Sequence, residues 1–461
     1  MISMSLSELA AILRSTFTTT TNPVFNGLSK DTRTLIPGNV YVAILGESLD
    51  GHHYVEEAYQ KGAIAAIVSR KVDCPIPQII VPDTIKALGE IALNWRHRFP
   101  IPLVGVTGSN GKTTLKDMIA SILRAACAGN ENQVLATEGN LNNTIGVPFM
   151  LARLNAEHRL GVIEMGMNSF GEIEALTQMT EPQVAVITNA AESHLQGVIN
   201  VAGVAKAKGE IFSGLNPKGI AVLNKDDAHF EYWHDLIDTH KFITFGLQNV
   251  ADVTATINPC TDLSKQNITL ITPLGKIDVC LPLLGKHNVM NAIAAAATGI
   301  ALNLDLKTIK KGLETVVAAP GRMNEIVFSN GARIIDDSYN ANPFSTQAAI
   351  YALAKYKGKK ILVLADMREM GNDAESLHTL TGKRAREAGV DILFTYGDLA
   401  ENCTKSFGEN ATHFTDKTLI AKALLPYLEA GNTILVKGSH SMHMEEVVAE
   451  LVKNPIHAQV H

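Results

Sequence analysis

Between an apolar run, Leu103 to Val106, and a helix-like segment lies the octet Thr107-Gly-Ser-Asn-Gly-Lys-Thr-Thr114. Few stretches restrict a fold as strongly. Gly108 and Gly111 allow the backbone to turn tightly enough to aim several N–H groups at one anion. A helix opening at Lys112 adds the positive end of its dipole. In such a setting Lys112 reaches the outer phosphates of a nucleotide, and Thr113 or Thr114 offers a hydroxyl to Mg²⁺. The spacing departs from G-x-x-x-x-G-K-[ST], because Val106 stands where the first Gly would be. The motif is a shorter T-G-x-x-G-K-T.

With 461 residues, the chain is long enough for roughly two to four domains with separate cores. Its 46% hydrophobic and 19% charged content is that of a water-soluble globular protein. The segment from Met1 to Ala11 lacks a basic stretch followed by an apolar one, so a cytoplasmic location is expected. The five cysteines are far apart and show no C-x-x-C spacing, which argues against zinc or a disulfide framework. A net charge of −6 disfavours nucleic acid as partner, and any anionic ligand needs local phosphate sites.

Pro and Gly divide the chain. Short β-rich runs at Val40 to Leu45, Ala63 to Val68 and Gln78 to Val81 point to a small N-terminal α/β domain, residues 1–99. A helix from Thr84 to His97 leads to Phe99-Pro-Ile-Pro102, a stiff linker. Residues 100–318 then alternate strand and helix, with strands expected at Leu160 to Ile163, Val184 to Ile187 and Ile220 to Leu223, which implies a mostly parallel P-loop-type sheet. From Ala319-Pro-Gly-Arg322 onward, residues 319–461 read as a Rossmann-like α/β domain with strands at Arg333 to Asp336, Ile361 to Ala365, Ile392 to Tyr396 and Thr433 to Val436. No G-x-G-x-x-G occurs there, so a dinucleotide is not expected.

Polar residues collect where the strands end. Glu164 ends one run, Thr188 and Asn189 the next, with Glu192 and His194 just beyond. In a parallel sheet these share the carboxyl edge with the phosphate loop, where ligands bind. Glu164 is the first choice for an oxygen ligand to Mg²⁺, and His194 can hold a second ion or orient a phosphate. Lys206 and Lys208 read as surface lysines unless one turns inward. Asn288 and Asn291 share a helical face and can read adenine, or Asn288 can cap its helix. Asp336, Asp337, Tyr339, Asn340 and Asn342 crowd a strand end of the third region and, with Arg322, form a second ligand wall.

Together these pieces resemble the Mur ligases, the ATP-dependent amide-forming ligases of peptidoglycan precursor synthesis. The resemblance rests on T-G-S-N-G-K-T-T, Glu164, His194, His287-Asn-Val-Met-Asn291, Pro320-Gly-Arg322 and Asp336-Asp337-Ser338, and runs along nearly the whole chain. Within the family, Glu164-Met-Gly-Met-Asn-Ser-Phe-Gly-Glu-Ile173 and Asp337-Ser-Tyr-Asn-Ala-Asn-Pro343 are similar to members that add D-alanyl-D-alanine to UDP-N-acetylmuramoyl-tripeptide. The D-N-P-R of the diaminopimelate-adding sibling is absent.

The resemblance implies a UDP-binding first domain, a central ATPase domain, and a third domain that closes on ATP and the amine. It assigns the phosphates to Thr107 through Thr114 and the magnesium ions to Thr113 or Thr114, Glu164 and His194. Lys208, preferred over Lys206, matches a lysine that relatives carry as a carbamate supporting the second metal site. Asn288 and Asn291 would border adenine, and Arg322, Asp337 and Asn340 the phosphates and ribose. Lys112, Lys208, His194 and Arg322 would carry the catalysis. Thr32, Arg33 and Gly46 would face UDP, and Asn140, Asn142, Asn143, Thr144 and Asn342 the other substrate groups. A monomer is expected. The alternatives are a sibling or folylpolyglutamate-synthase-like ligase, and a P-loop ATPase with no amine acceptor.

Overall fold

The computed structural model describes residues 1–17, 21–46, 49–191, 198, 200–260, 265–317, 319–368 and 370–453. His194 and Glu192 lie outside the described residues.

In the first unit, Leu28–Ser29, Val40–Val42, Ala65–Val68 and Gln78–Ile80 pair in parallel in chain order. Ala65–Val68 is buried throughout, so it reads as a continuous apolar run rather than an alternation. Helix Thr84–His97 starts where the Asp83 carboxylate accepts the N–H groups of Ile85 (2.8 Å) and Lys86 (3.1 Å). Near its end the buried Arg96 donates to Thr180 O (3.2 Å) and Ile101 O (2.8 Å), fastening the first unit to the second.

The second unit carries a wholly parallel sheet in the order Lys241–Phe245, Ile220–Asn224, Val184–Ile187, Leu103–Thr107, Leu160–Glu164, Val134–Ala136. Lys241–Phe245 and Val134–Ala136 are edge strands absent from the sequence expectation. Helix Lys112–Ala126 buries Leu115, Met118, Ile119, Ile122 and Leu123, each contributing about 1.5–3 kcal/mol on leaving water. Behind it pack Lys286–Ala301 and Leu306–Glu314. The second approaches so closely that a Cβ on Gly312 would lie 2.3 Å from Ile122 Cα. A three-stranded antiparallel sheet, Thr254–Asn258, Gln266–Thr272 and Gly275–Leu281, also lay outside the sequence expectation.

The third unit orders its sheet Asn324–Val327, Arg333–Asp337, Thr433–Lys437, Lys360–Ala365, Ile392–Tyr396, Ala411–Phe414. All pairs are parallel except the first. Among the described residues no helix is long and apolar enough to cross a membrane.

His378 holds this unit's second crossover. Its Nε2 accepts the N–H of Met367 (2.9 Å) and its Nδ1 donates to Ala374 O (2.6 Å), which fixes a neutral tautomer. Burial lowers its pKa from the ordinary 6.5. As pH falls, the unfolded chain therefore takes up this proton first, and stability is lost from about pH 6.5 downward. Urea titrations should show a shallower acid-side slope in His378→Gln than in wild type; an unchanged slope would contradict the assignment.

Candidate functional site

The phosphate loop takes the shape that its glycines permit. Gly108 (φ +148) passes so near Thr188 that a Cβ would overlap the threonine hydroxyl, and Gly111 (φ +80) leaves only 2.6 Å between such a Cβ and Asn291 Oδ1. Neighbouring strand ends grip the loop from below: Ser109 N donates to Asn189 O (2.9 Å), Asn110 N to Asn189 Oδ1 (3.1 Å), and Thr188 Oγ1 to Asn110 O (2.7 Å). Thr107 is buried, its hydroxyl donating to Met165 O (2.8 Å), so it serves the strand rather than the cleft.

Above the loop lies a cleft of about 1010 Å³. Its floor carries Ser109, Asn110, Gly111, Lys112, Thr113 and Thr114. Lys112 Nζ bends back onto Gly108 O (2.7 Å) and Ser109 O (3.3 Å), a place an outer phosphate can take over. Burial lowers its pKa; the Glu164 charge opposes that shift and the Arg322 charge adds to it. Lys112 and Glu164 thus share one sheet edge, as the parallel pairing Val106 to Glu164 requires.

Glu164 is 2% exposed. Its Oε1 accepts from Asn142 Nδ2 (2.9 Å), while Oε2 is buried without a hydrogen-bond partner among the described residues. A buried carboxylate oxygen left open beside phosphate donors fits a hard divalent cation. Thr113 Oγ1 lies nearby on the same cleft and accepts from Arg322 Nη2 (2.9 Å).

Lys206 and Lys208 separate cleanly: Lys206 is exposed, with Nζ 5.8 Å from the Phe170 ring centroid, whereas Lys208 is 1% exposed. Burial drives the Lys208 pKa well below its ordinary value, and the charge of Lys112 pushes the same way. Both causes favour the neutral amine, the form that reacts with CO₂. The surface reading fails for Lys208 because it shares the buried side of Val201–Gly209 with Val204, Ala205 and Ala207.

Asn288 and Asn291 are both buried and line the cleft. Asn288 is not the N-cap, which is Gly285; its Nδ2 donates to Leu284 O (2.8 Å) and its Oδ1 accepts from Asn291 Nδ2 (3.4 Å). The third unit supplies the roof through Arg322, Asp337, Asn340 and Asn342. Lys437, ending Thr433–Lys437, is 2% exposed and donates to Asp337 Oδ2 (2.5 Å) and Asn340 O (2.8 Å). The sequence reading gave Lys437 no role. Its signal was that of Glu164, an ionic residue ending a buried strand.

Other expected residues are spent locally. Asn342 caps helix Pro343–Leu353 in a reciprocal box with Ser345, and its Nδ2 donates to Asn110 Oδ1 (2.7 Å). Asn143 lines the cleft but its Oδ1 accepts from Gly146 N (2.8 Å) and Ile145 N (3.2 Å). Asn140 and Thr144 lie off the lining. Thr32, Arg33 and Gly46 follow the carboxyl ends of Leu28–Ser29 and Val40–Val42, away from this cleft, with Arg33 paired to Asp31 (2.6 Å).

Three family models match in succession: Mur ligase family, catalytic domain (residues 24–96), Mur ligase middle domain (106–299), and Mur ligase, glutamate ligase domain (321–440). The UDP-N-acetylmuramoyl-tripeptide–D-alanyl-D-alanine ligase of Escherichia coli is 43% identical over 458 residues, covering 98% of this chain and 99% of the relative. That of Bacillus subtilis is 34% identical over 475 residues, covering 99% and 100%. Among solved structures, MurF from Acinetobacter baumannii superposes with a TM-score of 0.90 at 32% identity, covering 98% and 99%. MurF from Thermotoga maritima, in complex with ADP, gives 0.82 at 26%, covering 92% and 97%. From its phosphate loop to its last strand, the chain belongs to the Mur ligase family.

Proposed function

We propose that the chain is an ATP-dependent ligase that joins D-alanyl-D-alanine to UDP-N-acetylmuramoyl-tripeptide, giving the UDP-linked pentapeptide, ADP and phosphate in peptidoglycan precursor synthesis. One observation carries this reading: Lys112, Glu164 and the Asp337 to Asn342 turn line one cleft, although they come from two different sheets. The high-coverage relatives bearing that activity in their names support it.

A carboxylate does not condense with an amine in neutral water unaided. The tripeptide's terminal carboxylate attacks the γ-phosphate of ATP, breaking the bond to ADP and forming an acyl phosphate. The amine of D-alanyl-D-alanine then attacks the carbonyl; the C–N bond forms, the C–O bond breaks, and phosphate leaves with that electron pair and the amine's proton. Both steps concentrate negative charge. Lys112 and Arg322 offset it, the loop amides orient the phosphates, and Asn288 and Asn291 border the base. Thr113 and Glu164 fit Mg²⁺, the family's expected ion, with Lys208 as a carbamate and His194 at a second position. When bound, the ion would neutralise phosphate charge.

Residues 1–99 are assigned to UDP through Thr32, Arg33 and Gly46, residues 100–318 to ATP, and residues 319–461 to closure over ATP and the amine. Asn142, Asn143 and Thr144 are assigned to the muramoyl-peptide, with Asn140 at the start of their turn facing the third unit and Asn342 braced against the phosphate loop. The protein is assigned to the cytoplasm as a monomer.

Phosphate release measured with ATP, UDP-N-acetylmuramoyl-tripeptide and a panel of amines tests the reading. Release should stay low until both co-substrates are present and be greatest with D-alanyl-D-alanine. Equal release without any amine would favour a plain ATPase, and preference for glutamate a folylpolyglutamate-synthase-like ligase.

A further inference from the structure

Three side-chain hydrogen bonds join the third unit to the second among the described residues. Arg322 Nη2 donates to Thr113 Oγ1 (2.9 Å), Asn342 Nδ2 to Asn110 Oδ1 (2.7 Å), and the Tyr339 hydroxyl to Asn140 Oδ1. The first two end on the phosphate loop, so a bound nucleotide competes with them. The third does not: Asn140 lies outside the cleft lining and remains available when the loop is loaded.

What Asn140 leads to makes this bond more than a surface contact. Its carbonyl accepts the N–H of Asn142 (2.8 Å), and Asn142 O accepts the N–H of Gly166 (2.7 Å). Asn142 Nδ2 in turn donates to Glu164 Oε1. A short, internally bonded turn therefore connects the Tyr339 hydroxyl with the carboxylate assigned to the metal. On the other side, the Tyr339 ring is held by Arg322, whose guanidinium carbon sits 4.1 Å from the ring centroid, and by His440, with ring centroids 5.3 Å apart. The backbone is fixed as well, with Tyr339 N donating to Gly321 O (3.0 Å). Tyr339 thus touches both the guanidinium expected at the phosphates and the turn that orients Glu164.

We propose that Tyr339 is a positioning residue for the amide-forming step: its hydroxyl, bonded to Asn140, sets the third unit in register with the turn that orients Glu164. The proposal rests on the ligase reading above. Its consequence is a cleft that stays closed while the acyl phosphate waits for the amine. Without the bond, the roof loosens after nucleotide loading, and water attacks the carbonyl in the amine's place, giving back carboxylate and phosphate.

Tyr339→Phe keeps the ring against Arg322 and His440 and removes only the hydroxyl. Amide formation should fall about tenfold in kcat, the scale of one hydrogen bond lost from the transition state, with KM for ATP within about twofold of wild type. Phosphate release should exceed amide product in the variant and equal it in wild type. Asn140→Ala should show the same split, and the double variant should be no worse than either alone. A purely structural role would lower the melting temperature and both products together without breaking their ratio. Wild-type kcat and one-to-one stoichiometry in Tyr339→Phe, or losses that multiply in the double variant, would overturn the proposal alone. A wild-type protein that forms no amide from D-alanyl-D-alanine would instead overturn the ligase reading.

Discussion

Lys112→Ala is expected to lower kcat by about 10³-fold or more while affinity for the UDP-linked substrate stays within a few-fold of wild type. The lysine's amine lies at the mouth of the phosphate loop, 2.7 Å from Gly108 O, where a phosphoryl group bound as proposed would meet it as charge builds. The loop that presents it is held from below by Thr188 and Asn189 and from the side by Asn291. The residues assigned to UDP, by contrast, sit on loops of another sheet that contribute nothing to the cleft lining. Grip on the carboxylate substrate and activation of it are therefore separable. Calorimetry with the UDP-linked substrate, alongside steady-state kinetics, checks this. Loss of binding together with turnover would mean that Lys112 supports the whole assembly, and the division of labour would fail. Lys112→Arg should not restore activity, since a planar guanidinium cannot occupy the point-charge position between Gly108 O and Ser109 O.

The phosphate loop was legible because it is a backbone constraint written in glycines, and no tertiary context is needed to read it. Buried parallel strands were legible for a similar reason: Val184–Ile187 and Ile392–Tyr396 are short apolar runs that stand out between polar turns. Strands at sheet edges were not. Lys241–Phe245 has two exposed residues at its start, and Thr254–Asn258 has none that is fully buried, so neither carries a core signature. The contents of the site divide along the same line. Glu164 could be placed because a strand end fixes its direction. The choice between Lys206 and Lys208 could not be made from spacing, since it depends on which helical face is buried. Nor could the pairing of Asn342 with Asn110 or of Lys437 with Asp337, which join residues 232 and 100 positions apart. The first contact belongs to the docking of two units and the second to neighbouring strands of one sheet, and a single sequence holds no local trace of either.

Glu164→Gln is expected to reduce kcat by about 10²-fold to 10³-fold and to raise the Mg²⁺ concentration needed for nucleotide binding. The substitution is nearly isosteric, and the amide oxygen can still accept from Asn142 Nδ2, so the turn that presents Asn142 keeps its anchor. What disappears is the charge on the buried, unpartnered oxygen. A second effect follows from the neighbouring lysine. Burial lowers the Lys112 pKa and the Glu164 charge pulls it back up. With a neutral side chain at 164 that support is gone, so Lys112 loses its proton at lower pH. The alkaline limb of the kcat profile should therefore move toward neutrality. Mg²⁺ titrations of ADP binding separate the two effects. Wild-type Mg²⁺ dependence combined with a shifted alkaline limb would leave Glu164 as a charge partner of Lys112 and remove it from the metal site.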